Sequence, residues 1–278
     1  MKKITYLFFL IIIPVSMFAQ QMNIISFNIR LNTASDGINA WPNRVEMVNG
    51  LLNYHEPDIF GFQEALIRQI EDVQAAMPDF EWFGVGRDDG KEAGEFTPVF
   101  FNKKKFILIE SGTFWLSETP EKPSKSWDAA LNRIVTWGKF KSKVTGKQFL
   151  FFNTHFDHKG DEARKNSASL IRDKIKEISG DQGLPVILTG DFNLFPESEP
   201  IGLIKKFMKD SREISETPPY GPVGTFNSFD WNAPMERRID YIFTQGGIKV
   251  LKYAVLTDSK NQRWPSDHLP VFVKVQLD

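Results

Sequence analysis

The sequence predicts an α/β (α+β) fold in which two mainly antiparallel β-sheets pack face to face, with helices covering their outer sides. Three observations predict it. Eleven short runs rich in aromatic and β-branched residues read as buried strands. Four amphipathic helical stretches are scattered among them, without the regular strand–helix–strand alternation of a parallel sheet. No linker rich in Gly, Ser or Pro, no repeat and no low-complexity tract divides the chain, so residues 20–278 read as one domain. A share of 41% hydrophobic against 25% charged residues is enough to build a large core.

Taken in order, residues 1–19 stand apart. Lys2 and Lys3 precede an apolar run over 7–15 broken only by Pro14, and Ser16-Met17-Phe18-Ala19 places a small residue before Gln20. This is the shape of a secretory signal peptide, and the apolar run is too short to span a bilayer comfortably. The expectation is an exported protein, periplasmic or secreted, monomeric and without stable membrane insertion after cleavage. The strand-like runs follow at 23–29, 58–62, 81–85, 97–101, 106–116, 134–141, 149–154, 185–189, 238–243, 248–256 and 271–277. Thr145-Gly146 and Gly246-Gly247 stand between such runs as hairpin signals. Val45, Val48, Leu51 and Leu52 share a helical face, with Pro42 and Asn43 at its start and Pro57 beyond its end. Ile67, Ile70, Val73 and Met77 repeat that spacing. A third helix over 163–178 turns Ile171, Ile175 and Ile178 inward, and a weaker fourth covers 200–208.

The chain has no cysteine, which excludes disulfides, thiol chemistry, Cys-based zinc or iron–sulfur sites and a Cys-linked lipid anchor. Without residues 1–19 there are 32 basic and 35 acidic residues, a net charge of −3. That argues against a protein gripping long nucleic acid through a basic surface. It leaves room for a site where a bound metal handles a single phosphate.

One pattern recurs along the chain: a hydrophobic strand runs into a residue that is costly to bury. Asn28 follows Ser26-Phe27, and Glu64 follows Phe62-Gln63. His155 follows Asn153-Thr154, while Asp191 and Asn193 follow Leu188-Thr189-Gly190. Asp240 lies within Arg238-Ile239-Asp240-Tyr241-Ile242, and Asp267-His268 precedes the last strand. Singly, each is explained by the chain reaching the surface. Six such cases on strands whose ends share the rims of a sandwich are expected to converge. Four carboxylates then need a cation or strongly raised pKa values. Hard oxygen ligands suit Mg²⁺, with Mn²⁺ as a substitute, better than zinc.

These segments, from Ser26-Phe27-Asn28 through Gln63-Glu64, Asn153-Thr154-His155, Gly190-Asp191-Phe192-Asn193 and Arg238-Ile239-Asp240 to Ser266-Asp267-His268, resemble in order the motifs of the endonuclease/exonuclease/phosphatase (DNase I-like) superfamily. The resemblance implies a four-layered αββα sandwich and a Mg²⁺-dependent phosphoesterase. It implies Glu64 as the principal metal ligand, helped by Asn28 and Asp267. Asp191 would activate the attacking water and Asn193 would hold it. His268, oriented by Asp240, would stabilise the phosphoryl oxygens. His155 would be a second phosphate contact or proton donor, paired with Glu95, and Arg133 a phosphate-binding residue.

The glycine-rich segment 84–94 reads as a solvated loop or a substrate lid, with Arg87 its candidate phosphate contact. Gly224-Thr225-Phe226-Asn227 resembles a substrate-facing loop, although packing accounts for it almost as well. His158 stands three residues after His155, a helical zinc spacing, but in a loop following a strand. Trp115, Trp127 and Trp137 read as core. The partner expected is a phosphate ester, with phosphodiesters of nucleic acid or nucleotides ahead of lipid headgroups and phosphorylated sugars or inositols. A non-catalytic binding protein that kept the fold is the rival class. A structural Ca²⁺ site leaves the two histidines unexplained.

Overall fold

A computed structural model describes residues 20–180 and 183–277; the expected signal peptide, 1–19, lies outside them. Twelve strands form two six-stranded sheets, in the orders β11-β12-β1-β2-β4-β3 and β5-β6-β7-β8-β10-β9. Their ranges are β1 Gln20–Asn28, β2 Ile59–Gln63, β3 Phe80–Phe83, β4 Val99–Asn102, β5 Phe106–Trp115, β6 Ile134–Ser142 and β7 Gln148–His155. The remaining strands are β8 Val186–Asp191, β9 Lys209–Asp210, β10 Asp240–Gln245, β11 Ile248–Val255 and β12 Val271–Leu277. Helices α1 (Val45–His55) and α2 (Ile67–Ala76) cover the first sheet; α3 (Asp161–Ser179) and α4 (Glu199–Lys205) cover the second.

Strands buried on both faces must be apolar at most positions, and the central strands β2, β7 and β8 are buried almost throughout, while β5, β11 and β12 turn one face outward. Along β1, Ile24 faces the second sheet while Ile25 and Phe27 face α1 and α2. Along β7, Phe149 and Phe151 fill the space between sheets, while Leu150 and Phe152 pack on α3 and α4. Three hydrophobic layers result, one between the sheets and one beneath each helix pair. The expected sandwich is therefore present, and each sheet carries a parallel pair, β1–β2 and β7–β8, within otherwise antiparallel neighbours.

Two local expectations need correction. Thr145-Gly146 does join the paired strands β6 and β7. Gly246-Gly247 does not make a hairpin: β10 belongs to the second sheet and β11 to the first. Gly246 has φ +82, and a Cβ there would lie 3.0 Å from the Pro185 Cα, so the glycine lets the chain cross from one sheet to the other against the start of β8. Of the three tryptophans read as core, Trp115 is buried, but Trp127 and Trp137 are only half-buried. The two-residue β9, paired with β10, is too short to leave a sequence pattern.

Candidate active site

Strand register explains why the polar strand ends meet. β1 and β2 run parallel with Asn28 opposite Gln63, so Asn28 and Glu64 leave the first sheet at one edge. In the second sheet, parallel pairing sets His155 opposite Asp191, and antiparallel β10 starts with Asp240 opposite Asp191. Antiparallel β12 enters beside β1 at that same edge, carrying Asp267 and His268 just before it. Asn28 bridges the two sheets there: it donates from Nδ2 to Asp191 Oδ2 (2.9 Å) and to Glu64 Oε1 (3.1 Å). Glu64 and Asn193 both hold positive φ, +60 and +52, as the chain turns sharply at the strand ends. A cavity of about 560 Å³ opens over this edge, lined by Glu64, Asp267, Asp191, Asn193, His155 and His268 among others.

Its floor contains two histidines in opposite states. His268 Nδ1 lies 2.9 Å from Asp240 Oδ2, and its Nε2 lies 3.7 Å from Asp191 Oδ2. Burial disfavours the imidazolium, but the charges of Asp240 and Asp191 and the Asp240 hydrogen bond outweigh it, raising His268 to about 10. Asp240 is held in turn by the Thr225 hydroxyl (2.6 Å). Asp191 is pushed up to about 7 by burial and by Asp240, against the pull of His268 and of the Asn193 backbone N–H. His155, by contrast, is held well below the ordinary histidine value by burial and by Arg133 and Arg87. Its Nε2 lies 3.1 Å from Asn193 Nδ2, and that amide also donates to the Phe156 carbonyl. Nε2 also lies 3.5 Å from Asp191 Oδ2, and Nδ1 lies 3.8 Å from Glu95 Oε2; a neutral ring accepting from Asn193 at Nε2 carries its proton on Nδ1, toward Glu95. His155 is thus placed as the orienter of the Asn193 amide more than as a proton donor.

Glu64, Asp267 and Asp36 gather around Arg30, at 3.8, 3.9 and 2.9 Å. Burial and the nearby Glu64 raise the Asp267 carboxyl, with His268 opposing. Behind them Arg44 is wholly buried, lowered to about 10 by burial, and donates to the carbonyls of Asn39, Ile29, Arg30 and Pro265. Three carboxylates therefore share one guanidinium with free donors, and the surplus negative charge, together with the Asn28 amide, fits a divalent cation with hard oxygen ligands. Asp191, Asp240 and His268 also bring ligand atoms within 4.8 Å of one another. There, however, the His268–Asp240 hydrogen bond already occupies two of the three.

Arg87 does not line the cavity, contrary to the phosphate contact expected of it. It is buried and donates to Glu95 Oε2 (2.7 Å) and so anchors Glu95, which does line the cavity, while the tip of segment 84–94 is exposed. Burial raises the Glu95 carboxyl, and Arg87 opposes the shift. Arg133 does line the cavity, buried, with Nε and Nη1 lacking hydrogen-bond partners. His158 is no zinc partner of His155: its Nδ1 lies 3.2 Å from Arg133 Nη2. The sequence reading missed Arg30 and Arg44, because an arginine at a strand exit or a helix start looks like ordinary surface charge. It noted Thr225 only within a loop motif; the full burial of that hydroxyl is what marks its role.

The sequence profile of the Endonuclease/Exonuclease/phosphatase family matches residues 25–268. A protein of that family from Bacteroides thetaiotaomicron is 42% identical, with a TM-score of 0.90, over 94% of this chain and 99% of that one. A mannosyl-6-phosphatase of the same organism is 43% identical, with a TM-score of 0.88, over 91% of this chain and 99% of its own. The catalytic domain of human Nocturnin shares the fold at 21% identity, with a TM-score of 0.71 over 92% of this chain and 94% of that domain.

Proposed function

The chain belongs to the endonuclease/exonuclease/phosphatase family, whose members are metal-dependent hydrolases of phosphate esters, and from that premise we propose that it is a phosphomonoesterase acting on phosphorylated sugars. The observation that carries the reaction is the floor of the cavity, where a carboxyl raised to about 7, a histidine raised to about 10 and a buried arginine face one space. The choice of substrate is supported by the 43% identity to a mannosyl-6-phosphatase along almost all of both chains. It is supported also by a cavity within the range of small-molecule sites, about 300–1,000 Å³, and by the absence of excess positive charge. Sugar monoesters thereby move ahead of the phosphodiesters that the sequence reading placed first.

In this reading Glu64, Asp267 and Asn28 would hold Mg²⁺, or Mn²⁺ in its place, and the ion supplies charge neutralisation at the phosphoryl oxygens. Asp191, its carboxylate held by the Asn28 amide and the Asn193 N–H, takes a proton from the attacking water as the phosphorus–oxygen bond to the sugar breaks, and the sugar oxygen leaves as the alcohol on taking a proton from solvent in the open cavity. Asn193, oriented by His155, positions that water and a phosphoryl oxygen. His268, locked through Nδ1 to Asp240, presents its Nε2–H to the charge that builds on the phosphoryl group. Arg133, lining the same cavity and held between Asp157 and Glu95, adds its positive charge beside that anion.

The test is a substrate panel with Mg²⁺, Mn²⁺ and EDTA arms, covering mannose and glucose 6-phosphates, p-nitrophenyl phosphate, its bis ester and DNA. Metal-dependent release of phosphate from the sugar esters is expected. Turnover of the diesters without the sugar monoesters would overturn the choice of substrate, and no turnover at all would favour the binding-protein reading. Export is proposed on the sequence of residues 1–19 alone, and mass spectrometry of the mature N-terminus decides it.

A further inference from the structure

On one side of the cavity, the proposed chemistry leaves a group of residues unused. Leu131 and His158 both line the space, and both are exposed to it while the catalytic floor is buried. They come from different segments, one before β6 and one after β7, yet a single carboxylate clamps both. Asp157 Oδ2 accepts from the backbone N–H of Ala130 (3.0 Å) and Leu131 (3.1 Å), and its Oδ1 accepts from Lys159 (3.0 Å) and Gly160 (2.9 Å). Asp157 is itself 2% exposed, so this is a built corner and not a chance meeting of loops.

The hydrogen bonding of the corner defines what it can recognise. A guanidinium has donors only, so the 3.2 Å contact from Arg133 Nη2 makes His158 Nδ1 an acceptor. The ring is then neutral with its proton on Nε2, and that N–H has no partner among the described residues. The proximity of Arg133 and partial burial also disfavour a protonated ring. Arg133 also faces Asp157 Oδ2 through Nε at 3.6 Å and Glu95 Oε2 through Nη1 at 4.0 Å, so the guanidinium is fixed between the clamp and the floor of the cavity. The same guanidinium thus lends its charge to the anion site and sets the tautomer of the residue beside it.

We propose that Leu131 and His158 form a leaving-group subsite for a sugar, with the Leu131 side chain against a C–H face of the ring and His158 Nε2–H donating to a ring hydroxyl. The assignment rests on the sugar-phosphate reading above. It places His158 in recognition of the alcohol and not in proton transfer.

The readout is a selectivity ratio, kcat/KM for mannose 6-phosphate over kcat/KM for p-nitrophenyl phosphate, measured for the wild type, His158→Ala and His158→Gln. One lost hydrogen bond to a hydroxyl corresponds to roughly a tenfold change, so His158→Ala lowers the ratio by about that factor. His158→Gln, which keeps a neutral donor, recovers part of it. A general disturbance of the site would lower both activities and leave the ratio unchanged, and an unchanged ratio overturns the subsite while the sugar-phosphatase reading stands. If the wild type turns over no sugar monoester, the functional reading falls first and the subsite falls with it.

Discussion

The charge states at the floor of the site follow from position more than from residue type. Both histidines stand beside Asp191, His155 at 3.5 Å and His268 at 3.7 Å, but His268 adds the hydrogen bond to Asp240, whereas burial and the charges of Arg133 and Arg87 disfavour a cationic His155. In the proposed mechanism Asp191→Asn and His268→Ala each lower kcat/KM by about 10²–10⁴-fold, measured by steady-state kinetics on the preferred monoester; unchanged values would remove the site. Asp157 makes a separate prediction about stability. Burial alone would raise its carboxyl, but the N–H donors of Gly160, Ala130, Lys159 and Leu131 outweigh burial and hold it well below the ordinary 3.8. A folded-state value below the unfolded one gives stabilisation that is present above the unfolded value and lost as pH falls through the folded one. Asp157→Asn is therefore expected to cost about 1.5–3 kcal/mol near neutrality, the scale of hydrogen bonds to a charged group. In denaturant melts the gap between the two proteins should start to narrow as pH falls below the unfolded-state value of 3.8 and close only below the folded-state one, and a difference that persists unchanged across that range would contradict the assignment.

At the level of elements, the two sheets are held in register beneath the site by buried amides. Gln63 Nε2 donates to Asn153 Oδ1 (2.7 Å), which also accepts from Thr189 Oγ1 (3.0 Å), while Asn153 Nδ2 donates to the carbonyls of Phe62 and Pro98. This places an Asn side chain in a hydrophobic interface, and Gly61 makes room for it: a Cβ on Gly61 would lie 2.4 Å from Asn153 Cγ. Gly61→Ala is thus expected to cost about 1–3 kcal/mol, the usual scale of overpacking, read as a lowered denaturation midpoint. A wild-type midpoint would show that the amide network can shift freely. The same strands show what a sequence pattern carries. Uninterrupted apolar runs located β1, β7 and β8 closely, because strands buried on both faces need such runs. The turn signal at Gly246-Gly247 marked a reversal but not its destination, since the strands on either side are equally apolar in either sheet.

For the whole molecule, the cavity depends on segments distant in sequence being pinned together. Arg44, just before α1, ties the exits of β1 at Ile29 and Arg30 to Pro265, two residues before Asp267. Its guanidinium also lies over the rings of Trp41 and Phe229, at 5.4 and 5.3 Å. Truncation would leave several buried carbonyls unpaired, so Arg44→Ala is expected to cost about 3–5 kcal/mol. A calorimetric melt indistinguishable from the wild type would refute that role. The sequence by itself determined the family, the two-sheet sandwich and most members of the site, because apolar periodicity and short polar motifs at strand ends are local properties of the chain. Only the tertiary structure decided that His268 and not His155 meets Asp240, that Arg87 pairs with Glu95, that the chain changes sheets at Gly246, and that His158 is fixed by Arg133. Those outcomes depend on burial and on partners brought together from separate strands and loops, and no local pattern records which groups will share a low-dielectric space.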